Sequence, residues 1–229
     1  MPKSINLVAG AIRLVAGTVA FAALLFAAAG TAAWPAGWLY LAIITAVMAA
    51  YAVIMVRLHP DLITERLRPP ADAKAWDKPL AATVGLAGPV LLLVLCGLDH
   101  RFGWSAPGPA WLQGAGFVAV AAGGAWTNWA VAVNRFFSGL VRIQRDRGHH
   151  VVDAGPYRYV RHPGYAGSMI YMLGLTFALD SRVALAAAVL LCGVLSVRTA
   201  LEDRTLLEEF EGYADYARRV RFRLLPGVW

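Results

Sequence analysis

A turn bounded by two prolines carries the residues best suited to chemistry. Residues 155–165 read Gly-Pro-Tyr-Arg-Tyr-Val-Arg-His-Pro-Gly-Tyr and lie between long apolar runs. Pro156 and Pro163 cannot occupy a helix interior, and each pushes the preceding residue out of the helical region. The segment is therefore predicted to be a rigid turn that leads into a helix. Its Arg161-His162 pair lies between tyrosines, and such a cationic, aromatic turn at a membrane surface indicates a place for chemistry.

A second polar cluster directly follows the last apolar run and consists of Arg198, Glu202 and Asp203. Arg198 and Glu202 are four residues apart, so they share one face of a helix. As an exposed ion pair they would contribute only roughly a few tenths of a kcal/mol to stability. At the base of an apolar hairpin, however, ionisable side chains more often serve function. We therefore expect both to face a site.

A third cluster lies between the fourth apolar run and the turn, and it comprises residues 134–138, with Asn134 and Phe137 among them, together with Gln144 and His149. Simpler explanations exist for single members of these clusters. Asn134 could end a helix, His149 could belong to a loop surface, and His162 could cap the helix that Pro163 begins. The three clusters are predicted to lie on the same side of the membrane, and this convergence favours a functional site.

The composition is that of an integral membrane protein. The 229 residues are 59% hydrophobic and 15% charged, with a mean hydropathy of +0.57, whereas a soluble domain is about half apolar and a quarter charged. The net charge of +7 does not indicate nucleic-acid binding, because the arginines lie between apolar runs, where they report topology. Cys96 and Cys192 lie inside apolar runs, and no HExxH or Cys/His ligand set indicates a metal.

Four apolar runs of about 20 residues are long enough to cross a bilayer core, and we expect the first to be retained and not cleaved as a signal peptide. A fifth run, 165–197, is interrupted at residues 180–182 by Asp-Ser-Arg, which predicts a hairpin of two short helices. The sequence therefore predicts an all-α integral membrane protein: a bundle of four long transmembrane helices, a C-terminal helical hairpin and an amphipathic C-terminal helix within 198–220. The four runs are 14–33, 38–56, 79–98 and 110–133.

The distribution of Lys and Arg predicts the orientation. Nineteen of them lie on the side of the N-terminus, the two large loops and the C-terminus, and only Arg101 and Arg182 lie on the other. The positive-inside rule therefore places both termini and the polar clusters in the cytoplasm. We expect a multi-pass protein whose predicted ligand pocket opens to the cytoplasm.

The chain is predicted to form one membrane domain, in which residues 1–133 supply the N-terminal transmembrane helices and residues 134–229 carry the site. A short interfacial helix is expected at 61–68. Residues 141–153 contain alternating and β-branched residues around an Asp-Arg-Gly turn, which predicts a small β-hairpin at the membrane surface.

At these residues the sequence resembles the isoprenylcysteine carboxyl methyltransferase family, together with its relatives among membrane phospholipid N-methyltransferases. The family pattern runs from a Gly-Pro-Tyr and an Arg-His-Pro-x-Tyr, through an apolar hairpin, to an Arg-x-x-x-Glu-Glu segment with following aromatics. The likeness covers about 134–226, and Asp203 stands where the family usually has a second Glu. The matching residues here are Gly155-Pro156-Tyr157, Arg161 to Tyr165, Arg198, Glu202-Asp203, Leu206, Phe210, Tyr213, Tyr216 and Pro226.

The resemblance implies S-adenosyl-L-methionine as the methyl donor and a hydrophobic or lipid-like acceptor that enters from the bilayer. Arg198 and Glu202 are the implied catalytic residues, and Asn134, Phe137 and Arg198 the implied acceptor-binding residues, with no metal. The implied donor-binding residues are Gln144, His149, Val151, Gly155, Tyr157, Arg161, His162, Pro163, Tyr165, Glu202 and Asp203.

The residues alone leave the acceptor open. A carboxylate acceptor needs only a cation such as Arg198 to place it, whereas an amine acceptor needs a base such as Glu202. The resemblance favours the carboxylate of an isoprenylcysteine-type compound as the acceptor, and a phospholipid or amine N-methyltransferase is the alternative. Two further classes compete: a membrane reductase of the sterol-reductase type using NADPH, and a non-enzymatic transporter or assembly factor.

Overall fold

The computed structural model describes residues 7–67 and 72–229, and within these ranges the regular structure is entirely helical. The bundle is built from long helices, and short helices and turns cover its polar end. The α-helices are α1 (Leu7–Ala29), α2 (Pro35–Arg57), α3 (Pro60–Leu67), α4 (Asp77–Ala82), α5 (Gly88–Phe102), α6 (Ala110–Val133), α7 (Pro163–Ala178), α8 (Arg182–Glu209) and α9 (Tyr213–Arg219).

Within the part of the chain that the structure describes, four helices are long and apolar enough to cross a membrane: α2, the continuous segment Asp77–Phe102 that joins α4 to α5, α6 and α8. A π-helical turn, Thr83–Ala87, links α4 to α5 without breaking that segment. The all-α membrane bundle predicted from the sequence is confirmed. The predicted interfacial helix is also present as α3, although its last residue, Arg68, lies outside the described residues.

The predicted hairpin is present, but its second arm is not short. The turn lies where Asp-Ser-Arg was expected, with Asp180 at a φ of 56° and the Ser181 hydroxyl accepting a hydrogen bond from the Ala184 amide at 3.0 Å. Helix α7 has 16 residues, whereas α8 has 28 and continues well past the apolar run to Glu209. The polar residues Arg198 and Glu202 therefore lie on the last turns of a membrane helix.

Two further differences between the sequence-based predictions and the structure are also local. Residues 141–153 do not form the expected β-hairpin, because the backbone of Val141 pairs instead with the Asp77 carboxylate and the Lys74 amide. The amphipathic segment 198–220 is not one helix, since Gly212, at a φ of 78°, separates α8 from α9.

Helices α6 and α7 approach closely through glycines. A Cβ atom on Gly123 would lie 2.6 Å from the Gly167 carbonyl oxygen, and one on Gly116 would lie 2.3 Å from the Ala178 amide nitrogen. By contrast, nothing lies within 4 Å of the Cβ position on Gly114. Small residues thus let the two backbones meet, as is common between membrane helices, and the contact fixes the start of α7 against the end of α6.

We expect Gly123→Leu to destabilise the bundle, because the new side chain meets backbone atoms of α7 that cannot move aside. Overpacking of this kind costs about 1–3 kcal/mol or more, which lowers the thermal unfolding midpoint of a chain this long by about 5 °C. Gly114→Leu on the same helix is the matched control and should leave the midpoint within about 2 °C of wild type. Equal midpoints for the two variants in detergent would contradict the close contact.

Candidate active site

A single cavity of about 570 Å³ collects the polar clusters that the sequence singled out. It lies among the ends of α2, α6, α7 and α8 and the loop that joins α6 to α7. Every candidate residue except Gly155 and Asp203 lines it. The candidates on its wall are Asn134, Phe137, Gln144, His149, Val151, Tyr157, Arg161, His162, Pro163, Tyr165, Arg198 and Glu202.

The same cavity has an apolar branch that reaches into the bundle. Its walls include Phe21 of α1, Ile44 of α2, Gly85 of the π-helical turn, Met172 of α7 and Leu195 of α8. Ile44, Gly85 and Leu195 lie within helical segments that are long and apolar enough to cross a membrane, so the branch runs toward the hydrocarbon region. The cavity therefore joins a charged, hydrogen-bonding end to a space suited to a hydrocarbon chain.

Glu202 is the acidic side chain on the cavity wall. The Tyr165 hydroxyl donates a hydrogen bond to its Oε2 at 2.5 Å, and no Lys or Arg of the described residues forms an ion pair with it. Pro163 begins α7 and thereby places Tyr165 one turn into that helix, opposite α8. A half-buried carboxylate without a cation is costly, so this group is well placed to meet a cationic ligand.

Arg198 lies one turn before Glu202, and it is held by a residue that the sequence did not reveal. Asp77, which is fully buried, accepts hydrogen bonds from Nε of Arg198 at 2.6 Å and from Nη2 at 3.0 Å. The guanidinium carbon also lies 5.1 Å from the centre of the Tyr165 ring. Arg198 and Glu202 thus face the cavity from the same side of α8, as their spacing predicted.

Asp203 lies behind the cavity wall and does not line it. One residue after Glu202, it points about 100° further round the helix and is completely buried. The lining of the cavity therefore gives no support to the predicted direct contact of Asp203 with a donor. Its carboxylate accepts hydrogen bonds from Arg161 at 2.8 and 2.9 Å, Tyr213 at 2.8 Å, Arg223 at 2.8 Å and His162 at 3.2 Å.

The start of the 155–165 turn is also structural. Gly155 has a φ of 55°, and a Cβ atom there would lie 3.1 Å from Trp129 and from Val133, so this position favours glycine and lies outside the cavity wall. Tyr157 is buried, and its hydroxyl accepts a hydrogen bond from the Asn134 amide at 2.9 Å. Asn134 itself ends α6, which is the capping role weighed from the sequence.

His149 forms part of the wall in its neutral form. Its Nδ1 accepts a hydrogen bond from the Gln144 amide at 3.2 Å, and its ring lies between Phe136 and Phe210, with centroids 4.6 and 4.2 Å away. Burial lowers the pKa of His149 to about 4, assisted by nearby positive groups including Arg142. At neutral pH the ring therefore keeps its proton on Nε2.

We expect this histidine to make stability depend on pH. Its pKa is about 4 in the folded protein and about 6.5 when unfolded, so the unfolded chain binds the proton first as the pH falls. The contribution of His149 to the free energy of unfolding is then fully present above about pH 6.5 and is lost as the pH falls toward 4. In thermal unfolding at a series of pH values, His149→Gln should show a shallower decline than wild type. Parallel curves would mean that His149 titrates normally.

Comparisons with known proteins find a likeness to one family over part of the chain. Residues 117–208 match the model of the isoprenylcysteine carboxyl methyltransferase (ICMT) family. Over 92 residues the chain is 33% identical to protein-S-isoprenylcysteine O-methyltransferase B of Arabidopsis thaliana, covering 39% of this chain and 47% of that protein. It is 34% identical to protein-S-isoprenylcysteine O-methyltransferase of Schizosaccharomyces pombe, covering 39% of each.

The likeness in fold extends further than the likeness in sequence. The structure of a eukaryotic intramembrane Ras methyltransferase, ICMT, superposes with a TM-score of 0.58 at 19% identity, covering 90% of this chain and 74% of that one. The sequence matches cover less than half of the length of the two curated relatives. The matched region contains most of α6, all of α7 and nearly all of α8. Residues 117–208 are therefore similar to the isoprenylcysteine carboxyl methyltransferase family, and beyond them the likeness is one of fold.

Proposed function

We propose that the protein is a membrane methyltransferase that transfers a methyl group from S-adenosyl-L-methionine to the carboxylate of an isoprenylcysteine-type compound. The observation that carries the proposal is the shape and chemistry of the cavity: one end presents Glu202 and Arg198, and the other is an apolar branch between membrane helices. The relatives named for isoprenylcysteine O-methylation support the same activity.

The residues at the polar end fit the donor. When bound, S-adenosyl-L-methionine supplies a methyl group that its sulfonium already activates, so the protein has mainly to position the reactants. Glu202 offers an anionic partner for the donor's ammonium group. The neutral His149 ring offers its Nε2 proton, and the aromatic faces near it suit the adenine ring. Gln144, Val151, Tyr157, His162 and Tyr165 complete this part of the wall.

The acceptor is placed by Arg198 and the apolar branch. Nη1 of Arg198 can hold one carboxylate oxygen while the prenyl chain lies along the apolar walls. The other carboxylate oxygen attacks the methyl carbon: a carbon–oxygen bond forms as the carbon–sulfur bond breaks, giving a methyl ester and a neutral thioether. No proton moves, so this acceptor needs no base. Both polar groups of the Asn134 side chain are already bonded, so Asn134 contributes by holding Tyr157, and Phe137 contributes an apolar surface.

The excess of Lys and Arg on one side of the bundle supports a cytoplasmic active site and cytoplasmic termini. We also propose that residues 1–133 mainly supply the apolar branch and residues 134–229 mainly supply the donor site within one domain. The apolar lining from α1 and α2 and the polar lining from α7 and α8 support this division.

Two measurements on the purified protein test the proposed function. S-adenosylhomocysteine should bind in calorimetry, and labelled S-adenosyl-L-methionine with an S-farnesyl cysteine should give a labelled product that releases methanol in base, as an ester does. A base-stable product from an amine lipid would favour N-methylation. Stabilisation by NADPH without binding of S-adenosylhomocysteine would favour a reductase, and a folded sample that binds neither would contradict an enzyme of either class.

A further inference from the structure

The buried Asp77 side chain lies at the first residue of α4, 121 residues before its partner Arg198. It bonds Nε and Nη2 of Arg198 with its two oxygens, and its Oδ2 also accepts the Val141 amide at 2.8 Å. Nη2 of Arg198 makes a further hydrogen bond to the Gly139 carbonyl at 2.9 Å. One edge of the guanidinium is therefore fixed by the protein itself.

This arrangement leaves one defined part of Arg198 for a ligand. A guanidinium has five N–H groups, and the bonds to Asp77 and Gly139 use the one on Nε and the two on Nη2. Nη1 keeps both of its N–H groups, without a protein partner among the described residues. Because Arg198 lines the cavity, the free Nη1 is the part that a bound carboxylate can reach.

The charge of Arg198 is already balanced. The bidentate contact with Asp77 pairs the two buried charges, so Arg198 meets a ligand as an oriented hydrogen-bond donor more than as a free positive charge. Its value for the reaction then depends on where Nη1 lies, and a displacement of about 1 Å in such a group can cost about 100-fold in rate.

We propose that Asp77 is a positioning residue for methyl transfer, which holds the Arg198 guanidinium so that Nη1 aligns the acceptor carboxylate with the donor methyl group. The proposal rests on the proposed function. The simpler alternative is that Asp77 only ties the loop at Val141 to α4 and supports the whole cavity. The two roles differ in what they affect: positioning affects the transfer step, whereas general support also affects donor binding.

Asp77→Glu separates these roles, because it keeps the charge but lengthens the side chain by one methylene and so displaces the guanidinium. We expect kcat with an S-farnesyl cysteine to fall at least about 30-fold, while the Kd for S-adenosylhomocysteine stays within about threefold. Asp77→Asn, which keeps the shape of the side chain and removes its charge, should likewise lower kcat and leave the Kd for S-adenosylhomocysteine nearly unchanged.

The matched control is Asp99→Asn. Asp99 is similarly buried and accepts hydrogen bonds from Ser105 and Ser181, but it lies beside the other end of α8, about 25 Å from Arg198 along the helix. We expect this variant to lose stability and yet keep kcat within about twofold of wild type at a temperature where it is folded. A fall in kcat matching that of the Asp77 variants would overturn the proposal.

A double-variant cycle tests whether Asp77 acts through Arg198. In an Arg198→Lys background, Asp77→Glu should lower kcat by less than about threefold, because the guanidinium that it positions is gone. Additive effects would overturn the proposal, as would Asp77→Glu with kcat near wild type or with donor binding lost in proportion. If wild type itself binds S-adenosylhomocysteine but methylates no carboxylate, the proposed function fails first, and the role assigned to Asp77 fails with it.

Discussion

Glu202→Gln should lower kcat/KM for the methyl donor at least about 100-fold, equivalent to about 2.7 kcal/mol of transition-state stabilisation relative to the free enzyme and donor. The substitution keeps the size of the side chain and an acceptor for the Tyr165 hydroxyl, which bonds Oε2 at 2.5 Å, but it removes the acidic charge on the cavity wall. The Glu202 carboxylate has no cationic partner among the described residues, so the main effect of removing its charge is to remove the attraction between Glu202 and a cationic ligand.

The same substitution should weaken donor binding without weakening the fold. We expect Kd values for S-adenosyl-L-methionine and S-adenosylhomocysteine to rise by similar factors, since the ammonium group is common to both. The thermal unfolding midpoint should stay at the wild-type value or rise, because a half-buried unpaired charge is removed. Lost turnover with unchanged Kd values would instead assign Glu202 to the acceptor, as a base.

Glu208→Gln is the matched control on the same helix. Glu208 is exposed and pairs with Arg204 one turn earlier, and such surface pairs contribute about 0–1 kcal/mol. Turnover and both Kd values should be those of wild type. A loss comparable to that of Glu202→Gln would mean that the polar end of α8 acts through its overall charge and not through one carboxylate.

Helical spacing explains why the sequence could place Arg198 and Glu202 correctly. Two residues four apart return to the same face of a helix, and both line the cavity. The same geometry turns Asp203 away from that face, so its burial could have been predicted from the sequence. The length of α8 could not be predicted, because hydropathy falls at Arg198, whereas backbone hydrogen bonding continues wherever the polar side chains find partners in other elements.

Asp77 could not be recognised from the sequence for a different reason. It lies between Lys74 and Lys78 in what reads as a charged connector, and nothing local indicates a partner 121 residues later. The failed β-hairpin prediction has the same origin. β-branched residues near Val141 favour a strand, but the backbone there is bonded by Asp77 and Lys74, which are distant contacts that no local pattern records.

Asp203→Asn, one residue from Glu202, should have the opposite profile. The Asp203 carboxylate is the common acceptor for Arg161, Arg223 and other groups behind the cavity wall. Removing its charge leaves these cations without their partner, and breaking a buried pair costs about 3–5 kcal/mol. For a chain of this length we expect the thermal unfolding midpoint to fall by about 10 °C or more.

The control for Asp203→Asn is Asp215→Asn, which breaks an exposed pair with Arg218 on α9 and should change the midpoint by about 2 °C or less. Donor binding should fall in Asp203→Asn only as the folded fraction falls. The Asp203 carboxylate of the wild-type protein contacts His162 from behind the cavity wall and does not itself line the cavity. A stable Asp203→Asn protein that has lost donor binding would show that Asp203 reaches the ligand after all. Both carboxylates would then bind the ligand, whereas their separation of about 100° around the helix predicts that Glu202 meets the ligand and Asp203 supports the wall.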